Sequence, residues 1–288
     1  MPSRRRRDHA VKRTERTTVT TAADGLVVEG LRKRYGGHQA VDDVSFTVAP
    51  GSCLALVGES GSGKTTTVRM LVGLERPDGG TVRLDGRDRS ARARSRGERL
   101  ARAREIQMVF QDPYLSLDPR VTVADCVAEV LRLHTRLTPV ARTARVRELL
   151  EKVGLGAREA TALPRRLSGG QRQRAALARA LAVEPRILVL DEAVAALDVS
   201  IQAQILDLLA TIRREAEVSY LFVTHDLTVV RHVADEVLVL KGGRAVEAGP
   251  TARVLDAPEH PYTRLLLSSV PGRGWHASPA APERRLPG

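Results

Sequence analysis

The run Gly58, Glu59, Ser60, Gly61, Ser62, Gly63, Lys64, Thr65 constrains this chain more than any other stretch. Its spacing, G-x-x-x-x-G-K-[ST], follows the apolar residues Cys53 to Val57 and precedes Thr66 to Val72. That context predicts a strand, a tight loop and a helix, in that order. Glycines let backbone N–H groups turn inward around phosphate oxygens with no side chain in the way. The new helix adds unpaired N–H donors and the positive end of its dipole. In such a loop Lys64 reaches the β- and γ-phosphates, the Thr65 hydroxyl ligates Mg²⁺, and Thr66 continues the cradle.

Length and charge bound the rest. With 288 residues the chain can bury a large core, as one big domain or two small ones. The longest apolar runs, such as Ile187 to Leu190 and Tyr220 to Val223, are too short to cross a bilayer. No apolar region follows Arg4 to Arg7, so no secretory leader is expected. Cys53 and Cys126 are far apart, which fits a reducing compartment and no structural metal. The net charge of +12 sits mostly in Met1 to Arg16 and Arg87 to Arg104. Either segment could meet nucleic acid or an anionic membrane surface. All but five of the 46 basic residues are arginines, however, so the bias is chain-wide and reads chiefly as solvated surface.

Residues 1–24 read as a disordered basic tail. Leu26 to Val28 and Val41 to Val48 predict strands of a β-rich first segment, with a turn at Gly36 and Gly37. Thr81 to Leu84 and Ile106 to Phe110 predict further strands. From Val121 to about Leu155 the pattern turns helical, with Leu131, Val146, Leu149, Leu150 and Val153 at helical spacings. Ile187 to Leu190 and Tyr220 to Thr224 then alternate with a helix around Ile201 to Ile212, and a last helix is expected near Thr263 to Leu267. The α/β alternation implies a mostly parallel sheet covered on both faces.

Two further segments narrow the chemistry. Ile187 to Leu190 ends in Asp191 and Glu192, and alternation along a strand would point the two acids opposite ways. Asp191 would then hold Mg²⁺ while Glu192 polarises the attacking water. Leu167, Ser168, Gly169, Gly170 and Gln171 precede the helical residues Arg172 to Ala180. Ser168 could cap that helix, and the glycines would let the backbone approach an anion.

In this order the segments resemble the ATP-binding subunits of ABC transporters, over roughly Leu26 to Val270. The resemblance implies a P-loop NTPase with an ABC-type β-rich first segment, a mostly parallel core sheet and an inserted helical subdomain. It places an ATPase domain at 25–250, its helical subdomain at about 112–178, and a C-terminal extension at 251–288. It also implies that ATP is sandwiched in a head-to-tail dimer, with Ser168, Gly169, Gly170 and Gln171 reaching the γ-phosphate bound by the partner. Gln111 matches the family's metal-sensing glutamine, and His225 its γ-phosphate switch. Tyr35 matches the aromatic that stacks on adenine, and Asp198 the loop that crosses the dimer. Lys64, Gln111, Glu192 and His225 form the implied catalytic set; Thr65, Gln111 and Asp191 hold the metal. The family usually has Pro-Thr-Ser where this chain has Ala193, Val194 and Ala195. Altered packing or cross-dimer hydrogen bonding is expected there, with hydrolysis intact.

Phe110 to Arg120, and His260 to Leu266 leading to Ser269, Val270 and Pro271, are similar to the oligopeptide/dipeptide import branch, whose tail nickel importers share. Read on its residues alone, the second stretch is a helix with Pro261 in its first turn and leucines packed inward. Neither cysteine lies in this region, so the iron–sulfur cluster of some relatives is not expected. The implied partners are membrane-spanning permease subunits, a second ABC ATPase (identical or related) and, indirectly, an extracytoplasmic solute-binding protein. The expected location is the cytoplasmic face of the membrane. The competing reading is a soluble ABC-type ATPase acting on nucleic acid or ribosomes. Such relatives carry two cassettes or long coiled-coil insertions, so nucleic acid is not the expected partner.

Overall fold

The computed structural model describes residues 25–112, 116–195 and 197–269. The tail 1–24, residues 113–115 of the Phe110–Arg120 stretch, Ala196, and 270–288 lie outside the described residues. The chain begins with a hairpin, β1 (Leu26–Tyr35) and β2 (His38–Val48), closed at Gly36 and Gly37 with Tyr35 opposite His38. Strand β3 (Cys53–Val57) leaves this hairpin for a second sheet and runs through the loop into helix α1 (Lys64–Leu71). The chain returns to the hairpin as β4 (Gly79–Leu84) and the short β5 (Arg87–Asp88), giving an antiparallel sheet in the order β2-β1-β4-β5.

The arginine-heavy stretch forms α2 (Arg96–Glu105), capped by Ser95 and burying no residue. It is not all solvated surface: the Arg89 side chain is buried and pairs with Glu105 at 2.5 Å. Arg102 pairs with Glu98 at 2.6 Å along the helix. Strand β6 (Ile106–Val109) follows. The expected helical stretch from Val121 is two helices, α3 (Val123–His134) and α4 (Pro139–Lys152). The break falls where Thr138 caps α4 and Pro139 fills its first turn, a start signal inside the periodic run. After the short α5 (Ala157–Ala160) and a 3-10 turn at Pro164–Arg166 come α6 (Gly169–Leu181), β7 (Ile187–Asp191), α7 (Val199–Ala216) and β8 (Ser219–Thr224). The chain then forms α8 (Leu227–Val233), β9 (Glu236–Lys241), β10 (Arg244–Pro250), α9 (Thr251–Asp256) and α10 (Pro261–Ser268).

The core sheet has the order β10-β9-β3-β8-β7-β6 and is parallel except at β10. Alternation along its strands divides the core. Leu54, Leu56, Ile187, Val189, Leu221, Val223, Leu238 and Leu240 face the small sheet and α1. Leu188, Leu190, Tyr220 and Phe222 face the helices α3, α4, α6 and α7. Burial on both faces is why these strands read as unbroken apolar runs rather than alternating ones. Both cysteines are buried and unpaired. Burial pushes the Cys53 thiol up to about 12, and raises Cys126 as well.

Candidate functional site

Because β3, β6, β7 and β8 run parallel, their carboxyl ends share one edge of the sheet. Val57 pairs with Thr224, Asp191 with Val223, and Val109 with Leu190. The loop 58–63, the acids after β7, His225 after β8 and Gln111 after β6 therefore emerge side by side. This is the edge at which open parallel sheets bind ligands.

The loop is shaped by close backbone approaches. A Cβ on Gly58 would lie 2.3 Å from the Leu240 carbonyl oxygen, and one on Gly63 would lie 2.5 Å from that of Ala40. Gly63 stands at the start of α1 with φ 104° and supplies no side-chain cap, leaving the first-turn amides open to another acceptor. Glu59, Ser60, Gly61 and Thr65 are exposed, and Thr66 is half-buried. The Ser62 hydroxyl is buried without a hydrogen-bond partner. Lys64 is buried, and its Nζ donates to the carbonyls of Gly58 at 2.6 Å and Glu59 at 2.9 Å. Burial pulls the Lys64 ammonium below its ordinary range, against the opposing pull of Glu192, Asp191 and Glu59. A ring of open amides, an unpartnered hydroxyl and a desolvated cation fit a phosphate chain.

The two acids are separated by a turn rather than by strand alternation. Strand β7 stops at Asp191, and Glu192 adopts φ 48°, a left-handed conformation uncommon outside glycine. Its N–H donates to the Val223 carbonyl at 2.9 Å, which fixes the turn onto β8. Strained backbone of this kind concentrates at functional sites. The Glu192 Oε1 lies 3.2 Å from Nδ1 of His225. Asp191 stays half-buried, and burial, reinforced by Glu192, holds its carboxyl above the usual range while Lys64 and Arg69 oppose. Thr65, Asp191 and Gln111 offer hydroxyl, carboxylate and amide oxygen, an all-oxygen donor set that suits Mg²⁺ with phosphates completing the shell. Gln111 is exposed just beyond β6.

The other expected residues lie apart. Tyr35 is 43% exposed at the tip of the first hairpin, with Lys33 Nζ 5.2 Å from its ring centroid. Ser168 accepts from Gln171 N at 3.2 Å, and Gln171 Oε1 accepts from Ser168 N at 2.9 Å, a reciprocal cap on α6. Gly169 and Gly170 pack under Leu197 and Ile201. Asp198 caps α7 by accepting from Ile201 N at 3.0 Å. Among the described residues no hydrogen bond joins residues 168–171, or Asp198, to the loop at 58–65. The sequence reading missed Tyr262, whose hydroxyl meets the Glu59 amide at 3.1 Å. The His260-Pro261-Tyr262 run was visible, but nothing in it reveals a contact 203 residues away.

Residues 41–195 match the ABC transporter family, and residues 246–284 match the oligopeptide/dipeptide transporter C-terminal region. The chain belongs to the ABC transporter family. It is 43% identical over 275 residues to the di/tripeptide transport ATP-binding protein DppF of Pseudomonas aeruginosa, covering 94% of this chain and 84% of that one. It is 46% identical to the oligopeptide transport ATP-binding protein OppF of Bacillus subtilis, covering 85% and 82%. Among solved structures it resembles the dimeric post-hydrolysis state of the ATP-binding cassette MJ0796 bound to ADP and Pi. That match has a TM-score of 0.70 and 30% identity, and covers 78% of this chain and 98% of that one. The chain is thus an ABC ATPase that couples ATP hydrolysis to transport. Subunits of this family pair with a second cassette and work with membrane permeases. No helix among the described residues is long and apolar enough to cross a membrane.

Proposed function

We propose that this ABC ATPase drives import of di-, tri- or oligopeptides from the cytoplasmic face of the membrane, beneath separate permease subunits fed by a solute-binding protein. The peptide assignment is supported by the C-terminal match at 246–284 and by the relatives named for peptide transport. The ATPase domain spans 25–250 with its helical subdomain at about 112–178, and 251–288 forms the extension. The loop from Gly58 to Thr66 cradles the phosphates, Lys64 neutralises the β- and γ-oxygens, and Tyr35 stacks on the base. Glu192 accepts the proton of the attacking water, with His225 beside it as sensor of the γ-phosphate. Thr65, Asp191 and Gln111 would hold Mg²⁺, and the bound ion would offset phosphate charge. Ser168 to Gln171 and Asp198 close the site from the partner cassette.

The observation that carries this reading is the convergence of Lys64, Asp191, Glu192 and His225 on one sheet edge, with His225 in reach of Glu192. Glu192→Gln is expected to bind ATP and lose turnover by about 10²–10⁴. Its ATP-bound form should elute as a dimer, and adding Ser168→Arg should return it to a monomer that still binds nucleotide. Unchanged turnover would remove Glu192 from the mechanism. Peptide accumulation that is the same in cells with and without the gene would refute the solute class.

A further inference from the structure

We infer that Tyr262, in the C-terminal extension, is a positioning residue for the phosphate-binding loop, so that nucleotide affinity depends on how this extension is docked. The inference rests on the ATP-site reading above. Tyr262 is 4% exposed and packs in the cluster that contains Val57, Val239 and Leu255. Its hydroxyl accepts from the Glu59 backbone N–H at 3.1 Å. On the other side of the same residue, the Glu59 carbonyl accepts from Lys64 Nζ at 2.9 Å. The Glu59 unit is therefore held between a helix of the extension and the lysine that defines the loop.

The aromatic ring is itself fixed. Lys241 Nζ lies 4.7 Å from its centroid, an attraction between cation and ring face. The start of α10 is tied to β10, because the Glu247 carboxylate accepts from Glu259 N at 2.8 Å and from His260 N at 3.1 Å. His260 Nδ1 in turn accepts from Tyr262 N at 3.1 Å. In the turn between β9 and β10, Gly243 N donates to the Ser62 carbonyl at 3.0 Å. The outer side of the loop is thus bonded to β9–β10 and α10, which leaves its inward amides set for phosphate.

Ordering a loop residue costs conformational entropy, so a bond that keeps the loop ordered before ligand arrives strengthens binding. Glu59 is exposed, and its N–H can bond to water if the hydroxyl is removed. Loss of the hydroxyl should therefore loosen the loop with little effect on folding. A residue that merely fills the core would behave the opposite way.

The test is Tyr262→Phe in the full chain, titrated calorimetrically with a magnesium complex of a non-hydrolysable ATP analogue beside Lys64→Ala. Tyr262→Phe is expected to weaken binding about five-fold, the value of one ordinary hydrogen bond. Turnover at saturating ATP should stay within about two-fold and Tm within about 1 °C, since the ring remains. Hydrogen exchange at the Glu59 amide should quicken. Wild-type affinity in Tyr262→Phe, with affinity lost in Lys64→Ala, would overturn the positioning role, as would a lowered Tm with unchanged affinity. Wild-type affinity in Lys64→Ala would overturn the phosphate-loop reading and this inference with it.

Discussion

Two glycine–serine turns open helices in this molecule, and they are finished in opposite ways. Gly63 leads into α1 without a side-chain cap, and the neighbouring Ser62 hydroxyl is buried unpartnered. Ser168 leads into α6 through a reciprocal cap with Gln171, in which the two side chains accept from the Gln171 and Ser168 amides. The first turn has no side-chain acceptor of its own, whereas the second carries one. A phosphate completes the one, whereas it could only rest against the other from outside, where Ser168 is exposed. Similar composition therefore yields a primary cradle in one place and an interface element in the other.

The sharpest way to break this contrast is a methyl group at each turn. Gly63→Ala would put a Cβ 2.5 Å from the Ala40 carbonyl in left-handed backbone, whereas Gly169→Ala would meet only Leu197 Cδ2 at 3.4 Å. Gly63→Ala is expected to weaken nucleotide binding more than about ten-fold, from strain of about 1–3 kcal/mol plus the steric conflict. Gly169→Ala should leave monomer affinity within about two-fold, having no such strain to absorb. Equal losses in a titration would erase the distinction. Next in size is the cap itself: Ser168→Ala should cost about 1 kcal/mol, seen as a Tm about 2–4 °C lower, with monomer nucleotide affinity intact. Weakened monomer binding would mean that the second turn serves its own protomer.

The smallest effect concerns Asp191. Burial raises its pKa, so ionisation above the usual carboxylate range removes stability that the protonated acid retains at low pH. Asp191→Asn is therefore expected to melt on the order of 1–2 °C higher than wild type near pH 8, while losing hydrolysis. The gap should close as pH falls toward the ordinary carboxylate range. A lower melting point for the variant would show that the acid is held there by favourable contacts.

The loop and both acids were legible in the sequence because each sits directly after a buried strand, where local pattern and chemistry coincide. How Asp191 and Glu192 part company was not, since a left-handed φ at a glutamate has no sequence signal. Leucines of α10 were expected inside, yet Leu265 is 57% exposed while Tyr262 and Thr263 are buried. Three leucines in a row cannot share one helix face, and the face is chosen by β3 and β9, far away in sequence. Val237 to Leu240 forms an apolar run as marked as Ile187 to Leu190, so β9 was equally legible, whereas the contact of Tyr262 with Glu59 depends wholly on tertiary packing.

The sealed thiols of Cys53 and Cys126 have a practical consequence. Reagents that seek thiolates find little to attack in the native chain. A single cysteine introduced on the surface, for example Val140→Cys at a site 82% exposed, would carry one spin label per subunit. Label-to-label distances could then follow the separation and approach of paired cassettes during turnover without first stripping the natural cysteines from the core.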